Sequence, residues 1–172
     1  TGVQTCALPI CLYRSEIPVD KSIEWIKTGL LDSENLVEVF SGADVVIHAA
    51  ALVSFNSSDD DKLYETNVIG TRNVVNACLT SGVRKLIHVS SVAALGKYQD
   101  RITVDESAPW TGGTSGYGRS KYEAELEVFR AAEEGLRVSI INPSVILAPG
   151  DLTRSTGRIF KYILDGNLFY TL

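Results

Sequence analysis

Apolar residues recur along this chain with two different periods. Ile23 to Lys27 alternates apolar and polar side chains, a short strand, and Gly29 turns the chain after it. Val45-Val46-Ile47 and Lys85 to Val89 are apolar runs of the kind buried on both faces of a parallel sheet. Val138 to Ile141 is a further strand, and Leu12-Tyr13-Arg14 reads as the stub of another. Between these runs the spacing becomes helical. Leu36, Val37 and Phe40 define one helix, which Asp32 or Ser33 can cap and Gly42 ends. Leu63, Val68, Val74, Val75 and Leu79 define a second across Asp60 to Thr80, stopped by Gly82. Tyr117 to Glu134 is a third, amphipathic and closed by Gly135. Ala93 to Gly116 carries the Gly, Thr and Pro of a surface loop, Pro143 and Pro149 bracket another, and Gly157 to Asp165 is a short helix. Strands alternating with helices predict an α/β fold, a doubly wound parallel sheet. In such sheets ligands sit beyond the carboxyl ends of the strands.

Composition narrows the class of partner. The chain has 172 residues, enough for one domain with a core. A net charge of −5 lacks the basic face that nucleic-acid binding needs. The longest apolar stretch, Ala43 to Phe55, is interrupted by Asp44, His48 and Ser54 and falls short of the roughly 20 residues of a membrane span. Cys6, Cys11 and Cys78 form neither a metal-ligand pattern nor a disulfide framework, so no metal is expected and the cytoplasm is the default compartment.

Thr1 to Ile10 stands apart. It has no charged start, no cleavage pattern and no helix signal. It resembles the translation of a common short-read sequencing adapter. Residues 1–10 are therefore expected to be a scar with few specific contacts, and 11–172 a domain cut at both ends.

The candidate chemistry lies at the strand ends and at one helix start. His48 and Ala49-Ala50-Ala51 follow one strand, Ser90-Ser91 the next, and Asn142-Pro143-Ser144 the third. Three small side chains in a row let a flat cofactor approach the backbone, or let a helix pack tightly on a strand. Tyr117 and Lys121 are one helical turn apart on one face. An ammonium beside a phenol favours the phenolate and lowers a pKa that is ordinarily about 10. Such a phenol can exchange a proton with a substrate oxygen near neutral pH, and a serine at a neighbouring strand end can hold that oxygen. Together they are equipment for oxidising an alcohol or reducing a ketone.

Asp44 to Ala51, Asn67-Val68-Ile69-Gly70-Thr71, His88 to Ser91 with Gly96, Tyr117-x-x-x-Lys121 and Asn142 to Val145 occur in an order and spacing that resembles the extended short-chain dehydrogenase/reductase superfamily. Within it the chain is most similar to NAD-dependent epimerase/dehydratase and dihydroflavonol-reductase-like members. The resemblance implies a Rossmann-like fold, here lacking the first strand, the Gly-rich turn and the first helix, with the start of a substrate lobe at its end. It implies Ser91 as binder of the substrate oxygen, Tyr117 as acid/base, and Lys121 as the residue that tunes Tyr117 and bonds the nicotinamide ribose. Asn67 would support the cofactor-side loop. Ala49, Ala50, Ala51, Ser90, Pro143, Ser144 and Val145 would line the dinucleotide. The aspartate that usually contacts adenine is replaced at the equivalent position by Gly29, beside Leu30, which leaves that contact to backbone. Arg14 ends the strand stub where an acidic residue would favour NAD, and an arginine there suits a 2′-phosphate, so NADP is favoured. Without the Gly-rich turn the 172-residue chain is expected to bind the dinucleotide weakly.

Other residues have plainer roles. His88 is expected to be a satisfied core residue and His48 a structural one. Asp59-Asp60-Asp61 reads as a solvated turn and helix cap, and Asp105-Glu106 as loop residues rather than paired catalytic carboxylates. Trp110 either touches substrate or anchors its loop. The function expected is NAD(P)-dependent oxidation or reduction of a small carbonyl or alcohol. The alternatives are a sugar-nucleotide epimerase or dehydratase with the same triad, a non-catalytic dinucleotide sensor, and an inactive fragment. The full-length parent could be a homodimer.

Overall fold

A computed structural model describes residues 10–13, 22–96, 104–112, 115–146 and 157–166. Residues 1–9 and Arg14 lie outside the described residues. Among the described residues the apolar runs form five short strands. β1 (Ile10–Tyr13) pairs in parallel with β2 (Glu24–Lys27), and β3 (Val45–His48), β4 (Lys85–Val89) and β5 (Arg137–Ile141) form a parallel sheet in that order. Ile10 was expected to lie outside the fold, yet it is the first residue of β1, opposite Glu24. A chain segment that supplies a strand-forming isoleucine in register adds one more rung to the ladder wherever it came from.

Among the described residues five α-helices accompany the strands: α1 (Ser33–Phe40), α2 (Asp60–Leu63), α3 (Gly70–Thr80), α4 (Gly116–Glu133) and α5 (Gly157–Leu164). Asp32 caps α1, its carboxylate accepting from the Asn35 N–H at 3.3 Å. The helix expected over Asp60 to Thr80 is continuous in direction but not in pitch: a π-helical segment, Tyr64–Ile69, joins α2 to α3. Helical periodicity alone does not register such a segment, because one extra residue per turn changes the apolar pattern little over so short a stretch.

The pleat of β3–β4–β5 sorts side chains by face. Val46, His48, Leu86 and His88 point into the core, where Leu36 and Phe40 of α1, Val74, Val75 and Cys78 of α3, and Val128 and Ala131 of α4 pack on them. Cys78 sits deep enough that burial pushes its thiol up to about 12. The opposite face is open among the described residues: Val45 is 48 % and Ile47 66 % exposed. Continuous apolar runs led to the expectation of strands covered on both faces; the described helices of this unit cover one. The chain divides after Asn142 into two units, and the second, Pro143 onward, contains α5.

Candidate active site

The site grows from the end of β4. Ser90, just past the strand, donates its N–H to the Ile141 carbonyl at 2.7 Å, which extends the β4–β5 pairing to the loop. Ser91 follows in extended conformation, and its hydroxyl oxygen accepts from the Ala93 N–H at 3.2 Å. That bond caps a short 3₁₀ turn, Val92–Leu95, which Gly96 closes at φ +80°, a left-handed conformation that suits glycine. The Ser91 proton is not used in this bond, so the hydroxyl remains a donor.

Helix α4 is pressed against this turn. Ser115 caps it by accepting from the Gly118 N–H at 3.1 Å. A Cβ on Gly118 would lie 2.9 Å from the Ala93 carbonyl oxygen, so only glycine permits this approach. Tyr117 and Lys121 therefore start from a helix turn in direct contact with the residues that follow Ser91. Tyr117 is half-buried, its ring edge-on to Phe55 at 6.0 Å. Lys121 is 2 % exposed, and its ammonium donates to the carbonyl of Val89, the last residue of β4, at 3.0 Å. Burial pulls its pKa down to about 8, opposed by the negative charge of Glu125. No hydrogen bond joins the side chains of Ser91, Tyr117 and Lys121 to one another among the described residues, and such contacts commonly tighten only with substrate and cofactor bound.

A second set of bonds fixes the loop after β3. Asn67, in the π-helical segment, pairs with both backbone groups of Leu52: its side-chain oxygen accepts from the Leu52 N–H at 2.7 Å and its amide donates to the Leu52 carbonyl at 2.9 Å. The remaining amide proton goes to the Ser120 hydroxyl at 2.9 Å, and Ser120 donates to the Tyr117 carbonyl at 2.8 Å. Thr71 donates to the Asn67 carbonyl at 2.6 Å, so its oxygen can only accept from His48 Nε2 at 2.9 Å. His48 is thus the Nε2–H tautomer. Burial and the Lys121 charge lower its pKa to about 4, which keeps it neutral. Asn67 accordingly supports the segment that carries Ala49, Ala50 and Ala51, all exposed just before Leu52.

Several expectations are refined here. His88 is in the core but not satisfied: it is 0 % exposed and neither ring nitrogen has a hydrogen-bond partner. Its pKa falls to about 3, through burial first and then the neighbouring His48 and Lys121. Asp59 does not cap α2 with its side chain; the carboxylate instead accepts from Ser54 at 2.8 Å and from Lys62 at 3.3 Å. Asp105 closes its own turn, accepting from the Ser107 N–H and hydroxyl at 3.0 and 2.6 Å. Trp110 stacks on Tyr122 of α4 with ring centroids 4.1 Å apart, which anchors its loop. The Leu30 carbonyl is the acceptor for Asn73 Nδ2 at 3.0 Å, and its side chain packs against Gly70. Pro143, Ser144 and Val145 belong to the second unit, where Ser144 and Val145 are exposed. Ser120, Thr71 and Glu125 were not singled out as site residues, and Asn142 was noted only as a polar residue at a strand end. Spacing could have flagged Glu125, which stands four after Lys121 and shares its face. Among the described residues no group of three His, Cys, Asp or Glu side chains could hold a metal ion, and no helix is long and apolar enough to cross a membrane.

The structure is a parallel α/β sheet with a buried lysine at the carboxyl end of a strand, and comparison with known proteins names the family. Residues 10–167 match the NAD dependent epimerase/dehydratase family, and the chain belongs to it. It is 34 % identical over 166 residues to a putative dihydroflavonol 4-reductase of Synechocystis, covering 95 % of this chain and 48 % of that protein. It is 32 % identical over 159 residues to 3beta-hydroxysteroid-dehydrogenase/decarboxylase isoform 1 of Arabidopsis thaliana, covering 86 % of this chain and 36 % of that one. The chain spans about half or less of the length of these relatives. The crystal structure of gox2253 superposes with a TM-score of 0.80 at 33 % identity, covering 91 % of this chain and 50 % of that one. The dTDP-glucose 4,6-dehydratase DesIV of Streptomyces venezuelae, solved with NAD and DAU bound, superposes with a TM-score of 0.76 at 24 % identity, covering 86 % and 47 %. The Rossmann-like fold and the resemblance to extended short-chain dehydrogenases/reductases are thereby shown.

Proposed function

We propose that this chain carries the reaction centre of an NAD(P)-dependent oxidoreductase that interconverts a small carbonyl compound and an alcohol. The observation that carries the proposal is Lys121, whose buried ammonium is held on the last carbonyl of β4, one helical turn from Tyr117 and two residues before Ser91. The residues fit the nicotinamide-ribose end of the cofactor. Ser90 keeps a buried hydroxyl oxygen with no partner, and Ala49, Ala50 and Ala51 offer a flat exposed approach at the carboxyl end of β3. When bound, the nicotinamide supplies or accepts the hydride.

The protein's own residues handle the proton. Tyr117 gives its phenolic proton to the substrate oxygen in reduction and takes one back in oxidation. Ser91 donates its remaining proton to the same oxygen. The Lys121 ammonium stabilises the phenolate that the transfer leaves behind. Asn67 holds the cofactor-side loop. The Leu30 region is proposed to line part of the remainder of the dinucleotide. NADP is favoured over NAD on the strength of Arg14, whose guanidinium can donate hydrogen bonds to a 2′-phosphate. The cytoplasm is the proposed location, supported by cysteines spaced without a disulfide framework.

A sugar-nucleotide epimerase or dehydratase would use the same three residues, and the family's own description favours it. The reductase is preferred because the relative at 34 % identity is named as one. The test is turnover of the full-length protein on a panel of small ketones and alcohols with NADPH and NADH. Tyr117→Phe is expected to lower kcat on the order of 10²-fold or more. Near-normal turnover in that variant overturns the mechanism.

A further inference from the structure

Helix α4 presents Tyr117, Lys121 and Glu125 at intervals of four on one face. The third has no role in the chemistry above, yet it is built in with care. Glu125 is only 6 % exposed, which is unusual for an acid unless it is paired. Its Oε1 accepts from Asn142 Nδ2 at 2.6 Å, a short, charge-assisted bond. Asn142 is the first residue beyond β5, and the same nitrogen donates its other proton to the Ser91 carbonyl at 3.2 Å. Both protons of one amide are therefore spent, one on α4 and one on the turn that follows β4. Two acceptors facing that nitrogen also fix which way the amide points.

We propose that Glu125 and Asn142 are a positioning pair for the reaction centre: Asn142 ties the Ser91 backbone to α4, and the Glu125 carboxylate is the counter-charge that keeps Lys121 an ammonium. The catalytic meaning of this pair rests on the Ser91, Tyr117 and Lys121 assignment; the tether and the charge coupling do not. Lys121 is buried, with its ammonium on the Val89 carbonyl at the end of β4. The titratable groups that feel its charge are His48 and His88, both neutral near pH 7, and Glu125, one turn further along α4. Burial acts to strip the lysine of its proton, and Glu125 is the group that opposes it. One carboxylate thus holds the serine in place and the lysine in its charged form.

The two halves separate by substitution. Glu125→Gln keeps an acceptor oxygen at the same reach and removes the charge. Glu125→Asp keeps the charge and shortens the reach. Asn142→Ala removes the tether and leaves the charge. The readouts are the titration of lysine ¹³Cε resonances by NMR in the 172-residue chain, with Lys121 assigned from its loss in Lys121→Met, and amide exchange at Ala93 and Ala94, whose N–H groups bond to Ser91. Glu125→Gln is expected to lower the Lys121 midpoint by about one unit or more, with exchange at Ala93 and Ala94 unchanged. Glu125→Asp and Asn142→Ala are expected to leave the midpoint within about half a unit of wild type and to speed that exchange. An unmoved midpoint in Glu125→Gln overturns the counter-charge. Unchanged exchange in both Glu125→Asp and Asn142→Ala overturns the tether. Neither readout needs cofactor or turnover, so loss of the catalytic assignment, seen as an active Tyr117→Phe, is a separate result.

Discussion

Gly118→Ala sets two effects of known size against each other. In an exposed helix interior the change from glycine to alanine gains about 1 kcal/mol of helix propensity. Gly118 is buried, and the added methyl would sit 2.9 Å from the Ala93 carbonyl oxygen and 3.4 Å from the Ser115 hydroxyl. The carbonyl is backbone and cannot rotate aside, so α4 and the 3₁₀ turn must part by several tenths of an ångström. Overpacking of this kind costs roughly 1–3 kcal/mol. The net expectation is a loss of about 0–2 kcal/mol, or a fall in Tm of up to about 8 °C for a chain this long. Displacement is felt more strongly in catalysis, because Tyr117 rides on the turn that moves while Ser91 stays with β4. A misplacement near 1 Å costs about 10²-fold, so a few tenths should cost several-fold to tenfold in kcat of the full-length protein. Thermal melting and steady-state kinetics read the two effects. A Gly118→Ala variant with higher Tm and unchanged kcat would refute the close packing of α4 on the Ser91 turn.

Two further outcomes follow from buried titratable groups. The Lys121 pKa is lowered to about 8 in the folded chain against 10.5 unfolded, so between those values the unfolded state binds more protons and stability rises with pH. Relative to Lys121→Met, wild type is expected to gain on the order of 1–3 kcal/mol from pH 8 to 10.5 in urea titrations, and parallel pH profiles would argue against the burial of the charge. His88 has a folded pKa near 3 against 6.5 unfolded, so its contribution falls as pH drops below 6.5. Since its ring nitrogens also lack partners, His88→Leu should stabilise the fold by about 1–3 kcal/mol and reduce its acid sensitivity; a destabilised variant would show that the ring is satisfied in solution.

Periodicity located the strands and helices because burial on one face is written in the spacing of apolar residues. β3, β4 and β5 emerge within a residue of their expected limits, and Asp32 emerges as the cap of α1. The spacing of Tyr117 and Lys121, read with a serine at a strand end, is the pattern from which the proposed site was read. What was not legible depends on contacts between elements distant in sequence. The Asn67 bonds to Leu52 and Ser120 span 15 and 53 residues, and the Asn142 bond to Ser91 spans 51. No local pattern announces them. The same holds for His88: an apolar strand shows that the residue is buried, but not whether a partner waits for its nitrogens. Gly118 reads as a weak helix residue until the carbonyl it accommodates is seen.

The π-helical segment Tyr64–Ile69 makes part of this site depend on residue count more than on residue identity. An α-helix advances about 100° and 1.5 Å per residue, so one residue fewer between 64 and 69 would close the segment into regular helix and turn everything before it by that amount. Leu63 would swing off the core it now fills, Asp60 would leave Arg119, and Asn67 could no longer face Leu52. The helix itself would be better formed and the loop that carries Ala49, Ala50 and Ala51 would come loose. Tyr64 and Glu65, both exposed, can be exchanged for other side chains at little cost, while the number of residues between Leu63 and Gly70 cannot change. In this stretch an insertion or deletion is a heavier event than any single substitution.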